Sequence, residues 1–134
     1  MARRLPLLVL LALVAAGCGV RSSKPFTAAA SVGCFRSHGF KDATTNPDKV
    51  GFIAGFSDRG GLKGTAPDGN VLTIAFTQDA TTTGQTETAF RNHAPPRLRP
   101  HMHDIMSVDR NAVIVWTISP SSDDTAAVNL CLRG

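Results

Sequence analysis

The sequence has little of the side-chain chemistry on which familiar enzymes depend. It contains one glutamate, Glu87, and no tyrosine among its 134 residues. It also has neither a Gly-x-Ser-x-Gly nucleophile elbow nor a His-Glu-x-x-His zinc helix. No βαβ pattern with a glycine-rich first turn is visible, which argues against a doubly wound nucleotide-binding fold. These absences favour a binding or interaction domain over an enzyme of a known class.

No apolar run in the sequence is long enough to remain in a bilayer as a helix. Arg3 and Arg4 precede an apolar run from Leu5 to Ala16, whereas a membrane-spanning helix needs about 20 apolar residues. A secretory signal needs only about 7–15 apolar residues, followed by small ones. The run therefore predicts an exported chain in which residues 1–17 are the signal peptide.

The apolar run ends in the tetrapeptide Ala15-Ala16-Gly17-Cys18. This tetrapeptide resembles the lipobox of bacterial lipoproteins, with Ala15 in place of the usual leucine. The resemblance implies that Cys18 receives a diacylglycerol thioether, with acyl chains such as palmitate, and becomes the mature N-terminus. The domain would then be anchored in the cell membrane, on its extracytoplasmic face. The alternative is an ordinary signal peptide cleaved nearby, with no special role for Cys18.

Cleavage before Cys18 leaves 117 residues, which suits a single compact domain. We expect residues 18–24 to form a short lipidated tether and residues 25–134 to form one globular domain. Loss of Arg3 and Arg4 lowers the formal net charge from +4 to +2. So small a charge on an exported domain does not point to nucleic acid as a partner.

Cysteine is scarce, and its three positions are informative. Once Cys18 carries lipid, Cys34 and Cys131 remain in an oxidising compartment, and we expect them to form a disulfide. Closing so long a loop contributes about 4–5 kcal/mol in the chain-entropy model. Two buried free thiols or a redox pair are the alternatives, although a Cys-x-x-Cys spacing is lacking.

Hydrophobic periodicity predicts the order helix, two strands, helix, two strands, helix. The predicted elements are a helix from a Ser23 cap to Gly39, strands at 50–56 and 70–77, a helix capped by Asp79 or a neighbouring threonine and running to about His93, strands at 104–108 and 112–118, and a last helix from Ser121 or Ser122. Residues 41–49 are predicted to be a loop, and residues 62–65 at most a short strand piece. Two β-β-α units would then build a four-stranded, mainly antiparallel sheet with helices on one face, a two-layer α+β domain with an extra N-terminal helix.

Parts of this chain resemble a group of known sequences. Residues Cys34–Phe40, the strand-rich middle and Asn129–Leu132 resemble small exported actinobacterial proteins of uncharacterised function, a resemblance that implies no activity. We therefore expect a non-catalytic binding or interaction module of the cell envelope, whose partner is an envelope protein or an anionic polymer. An enzyme of unfamiliar type is an alternative, and a deep pocket lined by His93, Asp58 or Asp104 would favour it.

The densest polar segment runs from Arg97 to Asp104. In an extended chain one face of it would carry the side chains of Arg97, Arg99, His101 and His103. The two histidines can share a copper or zinc ion through neutral imidazoles. Further ligands would come from Asp104, His93, Met102 or Met106. A metal-binding exported domain is therefore an alternative function.

The same stripe would place two cationic side chains, Arg97 and Arg99, on an edge strand, because Pro100 cannot donate to a central ladder. Near a membrane such a ridge can bind anionic headgroups or wall polymers. The alternative is a solvated edge whose charges discourage sheet-to-sheet association.

Two shorter motifs carry weaker signals. Ser37-His38 combines a nucleophile and a base, but adjacent residues of a helix point in different directions. The backbone amides of Arg59-Gly60-Gly61 can face an anion, although a plain turn is favoured because no phosphate-loop Lys-Ser pair follows.

The substitution Cys18→Ser tests the predicted anchor. We expect the variant to lose acylation and membrane retention, because two acyl chains on one cysteine hold a domain firmly to a bilayer. Membrane fractionation and the intact mass of the mature protein measure both effects. Cys34→Ser is the matched control and should stay in the membrane fraction. Wild-type retention of Cys18→Ser would contradict the prediction.

Overall fold

A computed structural model of the protein describes residues 24–133. The predicted signal peptide, Cys18 and most of the tether lie outside these residues. The helices are α1 (Ala28–Ser37), α2 (Pro47–Val50), α3 (Phe52–Gly55), α4 (Ala80–His93), α5 (Met102–Ile105) and α6 (Ser122–Cys131), with a 3-10 turn at Arg99–His101. The strands are β1 (Lys41–Thr44), β2 (Gly61–Thr65), β3 (Val71–Phe76), β4 (Met106–Asp109) and β5 (Ala112–Trp116). None of the described helices combines the length and the apolar character that crossing a bilayer requires.

The five strands form one open antiparallel sheet in the order β1-β2-β3-β5-β4. The predicted α+β class and antiparallel pairing are therefore confirmed, but the sheet has five strands instead of four. β3 is central, and its alternating residues Leu72, Ile74 and Phe76 are fully buried. The helix predicted from Asp79 to His93 is confirmed as α4, and the last predicted helix as α6.

The predicted loop at residues 41–49 was wrong because it contains β1 and α2. β1 pairs with β2 through an irregular register, and Asp42 lies in the left-handed region at φ 53°. Ala43 is its one buried residue, so the strand has no period-2 pattern of apolar side chains. β1 forms because it can pair with the edge of β2, and the local sequence gives no sign of this pairing.

The predicted strand at residues 50–56 was also wrong. The last residue of α2 and all of α3 fall in this stretch, and Gly51 at φ 96° separates the two one-turn helices. Val50 and Ala54 are buried, whereas Phe52 and Phe56 are exposed. In a strand these four residues would all lie on one face, whereas in helical turns residues four apart share a side and residues two apart do not. A short apolar run cannot be assigned by periodicity alone.

Helical segments contact both faces of the sheet, although helices on one face were expected. Trp116 of β5 faces Phe40, which follows α1, with ring centroids 6.4 Å apart. Its neighbour Val115 points to the opposite face, because successive side chains of a strand alternate. There Val115 lines a cavity with Ile53 of α3 and Phe90 of α4.

Side-chain caps begin the longer helices. Asp79 caps α4 and Ser121 caps α6, and each forms a capping box with the residue three positions later. The cap predicted for the first helix was wrong, because α1 begins at Ala28. There the Thr27 hydroxyl oxygen, and not Ser23, accepts a hydrogen bond, from the Ala30 amide at 3.2 Å.

The chain enters the domain at one end of the sheet. The Phe26 amide donates to Asn111 Oδ1 at 2.7 Å, and Asn111 Nδ2 donates to the carbonyls of Phe26 and Thr77 at 2.9 and 2.7 Å. Thr77 follows β3 and Asn111 precedes β5, so this contact lies where β3 ends and β5 begins. We call it the tether end.

The opposite end of the sheet is held by a second buried asparagine. Asn70 lies between β2 and β3, its Nδ2 donates to the Ile118 carbonyl at 3.0 Å, and its Oδ1 accepts from the Thr117 hydroxyl at 3.0 Å. We call this the distal end. The five or six residues of β2, β3 and β5 separate it from the tether end by about 17–20 Å, at about 3.3 Å per residue.

The substitution Asn111→Ala tests the contact at the tether end. It would leave buried backbone groups of Phe26 and Thr77 without partners, and we expect the free energy of unfolding to fall by about 3 kcal/mol, the upper end of the usual range for such groups. Denaturant titration gives the value. Asn92→Ala, at an exposed position of α4, is the control and should change the free energy by less than about 0.5 kcal/mol. Equal effects would contradict the assigned role.

Candidate functional site

A pocket of about 230 Å³ opens at the distal end. Three segments enclose it: the residues after α1, the turn between β2 and β3, and the first turn of α6. Its lining residues are His38, Phe40, Pro67, Asp68, Ser121, Asp123, Asp124 and Ala127. We call it the distal pocket. Carboxylates and one imidazole share it with an apolar wall, and its lining residues include neither lysine nor arginine.

The carboxyl of Asp124 is the buried acid of the distal pocket. The residue is 4% exposed, its Oδ2 accepts from the Ser121 amide at 3.3 Å, and its own amide donates to the Ser121 hydroxyl oxygen at 3.1 Å. Burial raises the pKa of Asp124, and the neighbouring Asp68 carboxyl adds to the rise, while the hydrogen bonds from Ser121 oppose it. Asp124 thus holds its proton more strongly than an exposed aspartate.

The two other carboxylates lie on the rim of the distal pocket. Asp68 belongs to the turn that follows β2, and its Oδ1 accepts from the Asn70 amide at 2.9 Å. Asp123 is exposed in the first turn of α6, where the positive end of the helix dipole favours a carboxylate. Asp68 and Asp123 come from segments 55 residues apart in the chain, so only the tertiary fold brings them into one pocket.

Ser37 and His38 lie closer together than helix geometry alone indicated, with 3.4 Å between the hydroxyl oxygen and Nδ1. Both side chains bond the same acceptor, the Cys34 carbonyl, at 2.8 and 2.9 Å. Nδ1 must therefore carry a proton, and it is not placed to accept one from the hydroxyl. This geometry does not support a nucleophile and base pair.

Cys34 and Cys131 lie at disulfide distance, with 2.06 Å between the sulfurs and 5.5 Å between the Cα atoms. The bond would join α1 to α6 beside His38, whose Nδ1 lies 3.6 and 3.8 Å from the two sulfurs. Within residues 24–133, these three side chains form the group whose potential metal ligand atoms lie within 4.8 Å of one another. Sulfurs joined to each other offer no thiolate to a metal.

The metal and anion hypotheses assumed that the segment from Arg97 to Asp104 is extended. The structure shows that it is not. It forms the 3-10 turn and α5, and residues two positions apart in such helices point to different sides. His101 and His103 are exposed, and His103 Nε2 lies 3.2 Å from Asp104 Oδ1. Copper or zinc binding by these histidines stays a prediction.

The two arginines of this segment differ in their surroundings. Both arginines are exposed, but Arg99 Nε also donates to the Ala94 carbonyl at 3.0 Å and so holds the preceding turn. Because Pro100 lies in the 3-10 turn, the predicted edge strand is absent from this segment of the described chain. Anion binding by Arg97 and Arg99 stays a prediction.

The motif Arg59-Gly60-Gly61 forms a turn. The Arg59 amide donates to the Phe76 carbonyl at 2.9 Å, and the Gly60 amide donates to the Ser57 carbonyl at 2.9 Å. Gly60 has a φ of 85°, which favours glycine. Because both amides have partners inside the protein, this geometry supports the plain turn.

His93 borders two apolar cavities between α4 and its neighbours, of about 270 and 150 Å³. Asp58 and Asp104 line neither of these two cavities. The His93 Nδ1 donates to the Ala89 carbonyl at 2.9 Å, one turn earlier in α4. The arrangement places no carboxylate beside the imidazole in either cavity, so these cavities do not provide the enzyme site that the sequence suggested as an alternative.

The distal pocket was not predicted from the sequence. Its parts were recognised separately, as a turn around Pro67 and as acidic residues in the first turn of the last helix. The missing information was the long-range packing of α6 against the residues that follow α1. No family model matches the chain, and neither a curated protein nor a solved structure matches it.

The raised pKa of Asp124 predicts a pH-dependent effect of Asp124→Asn. A folded-state pKa above the ordinary 3.8 means that the acid favours the folded state at low pH and that this contribution is lost as the pH rises through the raised pKa. We therefore expect the free energy of unfolding of the variant, relative to that of wild type, to increase as the pH rises from about 4 to about 7. Denaturant titrations across this range measure the difference. Asp123→Asn, an exposed change in the same turn, is the control, and a pH-independent difference for Asp124→Asn would contradict the assignment.

Proposed function

We propose that the protein is a lipid-anchored, non-catalytic binding module on the extracytoplasmic face of the cell membrane, and that its distal pocket binds a cationic group of an envelope partner. The anchor is the acylated Cys18, the signal peptide is residues 1–17, and the disulfide between Cys34 and Cys131 stabilises the exported domain. The partner is an envelope protein that presents a lysine, an arginine or another amine.

One observation carries the proposal, the opposite placement of the tether end and the distal pocket. The chain enters the domain at Phe26, beside Asn111, at one end of the sheet. Pro67 and Asp68 line the pocket at the other end, about 17–20 Å away along the strands at about 3.3 Å per residue. A domain anchored through Cys18 would therefore direct the pocket away from its own membrane.

The charges of the distal pocket support a cationic ligand. Asp68, Asp123 and Asp124 line it without a lysine or arginine among the lining residues. The positive end of the α6 dipole compensates for part of this charge, equivalent to about half an elementary charge. Phe40 and Pro67 supply an apolar wall that suits the methylene stem of an amine side chain. An anionic polymer would be repelled here, so a protein partner is the better match.

Three probes of four carbon atoms each test the charge preference. We expect butylammonium to shift the backbone NMR signals of Asp68, Asp124 and Ala127, whereas butyrate and butanol leave them unchanged. Binding should weaken as the pH falls from 7 to 4, because the raised pKa of Asp124 makes its carboxyl neutral at a higher pH than that of an exposed aspartate. The titration gives the dissociation constant at each pH.

Charge-removing variants locate the site. Asp68→Asn and Asp123→Asn should each weaken butylammonium binding about two- to fivefold, which corresponds to about 0.5–1 kcal/mol for an exposed ion pair. Asp104→Asn, an exposed change outside the distal pocket, should leave binding unchanged. Binding that responds equally to all three variants, or butyrate binding as strongly as butylammonium, would contradict the proposed ligand class.

A further inference from the structure

Two largely exposed phenylalanines lie beside each other, one at the start of α3 and one directly after it. Phe52 is 80% exposed and Phe56 is 79% exposed, and their ring centroids lie 5.0 Å apart. We call them the aromatic pair. Contiguous exposed apolar surface of this kind marks protein or membrane contact sites on soluble domains.

The packing of α3 holds the aromatic pair outward. Ala54, between the two rings in sequence, is 1% exposed, and its carbonyl would lie only 2.5 Å from a Cβ at Gly61. Only glycine at the start of β2 allows this close approach of α3 to the sheet. Phe52 and Phe56, four residues apart, lie on one side of the helical turn and Ala54 on the other. Inward rotation of the rings would therefore require α3 to leave the sheet.

The aromatic pair lies close to the point where the chain enters the domain. The Ala28 amide donates to the Arg59 carbonyl at 3.1 Å, and Arg59 is only three residues after Phe56. Lys24, the first described residue, is six residues after Cys18. Six residues reach at most about 21 Å even when fully extended. An acylated Cys18 would therefore keep the aromatic pair within a short distance of the bilayer surface.

The charged residues next to the aromatic pair in the sequence are balanced. Asp48 and Lys49 precede it, and Asp58 and Arg59 follow it. Balanced charge gives no net attraction to anionic headgroups, so electrostatics does not favour a specific lipid here. Aromatic rings enter the boundary between headgroups and acyl chains through their apolar area, whatever the headgroup charge. The chemistry of this patch fits a bilayer surface in general.

We propose that the aromatic pair inserts into the interfacial region of the membrane that carries the acylated Cys18, and that it lays the α3 face of the domain on that membrane. This inference rests on the proposed lipid anchor. Two rings alone bind weakly, but the anchor holds them at a high local concentration beside the bilayer, which turns a weak contact into a persistent orientation. The distal pocket, whose Phe40 packs against Trp116 on the other face of the sheet, stays accessible to a partner.

Fluorescence quenching in vesicles tests the docking. The full-length protein carrying Phe56→Trp is produced in a bacterium that acylates lipoproteins, purified without selection for acylation, and mixed with phosphatidylcholine vesicles with or without bromine in the acyl chains. Bromine quenches a tryptophan that contacts the chains, whereas the native Trp116 is 4% exposed and gives the same background in every variant. We expect the emission added by Phe56→Trp to be lost in brominated vesicles, and the loss to be unaffected by salt. Ile118→Trp, at a 63% exposed site of the distal end, is the matched control and should keep its emission.

Each other outcome overturns the docking in a recognisable way. Unquenched Phe56→Trp emission from protein that still floats with the vesicles would overturn the docking and leave the anchor intact. Equal quenching of Phe56→Trp and Ile118→Trp would overturn the proposed orientation. A dimer that dissociates on Phe52→Ser and Phe56→Ser substitution, without any quenching, would identify a second copy of the chain as the occupant. Protein that does not float with vesicles at all would overturn the anchor and the docking together.

Discussion

The buried side chain of Asn111 ties the incoming chain to the sheet, and this contact fixes where a tether would lie relative to the sheet and its two ends. It accepts a hydrogen bond from the amide of Phe26 and donates hydrogen bonds to two carbonyls. The segment after the proposed tether is therefore fixed where β3 ends and β5 begins. The guanidinium of Arg110 lies 4.4 Å from the centroid of the Phe26 ring and covers the same junction. Because the entry point is fixed, a short tether would determine which end of the domain faces a membrane.

The remaining structure divides between the two ends and the two faces of the sheet. Cys34 of α1 and Cys131 of α6 lie at disulfide distance on the face of Trp116. The residue after α1, His38, and Asp124 of α6 line the distal pocket. The other face carries α3, α4 and the apolar cavities beside His93. A pocket at one end and an aromatic pair nearer the other are compatible with a domain that rests on a membrane and binds a partner above it.

Local sequence signals succeeded where one residue's chemistry decides the structure. Asp79 and Ser121 cap helices because their short polar side chains accept backbone hydrogen bonds, and each was one of the caps that the sequence offered for its helix. The alternation of Leu72, Ile74 and Phe76 likewise identified β3. Signals failed at β1 and α3, where an apolar or polar run is too short to distinguish a strand from a helix. At these two places contacts with distant residues determine the structure. β1 pairs with β2, and Gly61 of β2 allows α3 to pack closely against the sheet.

The sequence by itself determined the mixed α+β class, the predicted export and lipid signal at Cys18, and the expectation that two remaining cysteines would pair. These features depend on composition, short motifs and counting, which need no coordinates. Only the tertiary structure decided that Asp68 and Asp124 share a pocket, that the segment around His101 is helical, and that Phe52 and Phe56 face outward. Those properties depend on contacts between residues far apart in the chain, and no local pattern specifies which distant segment a residue will meet.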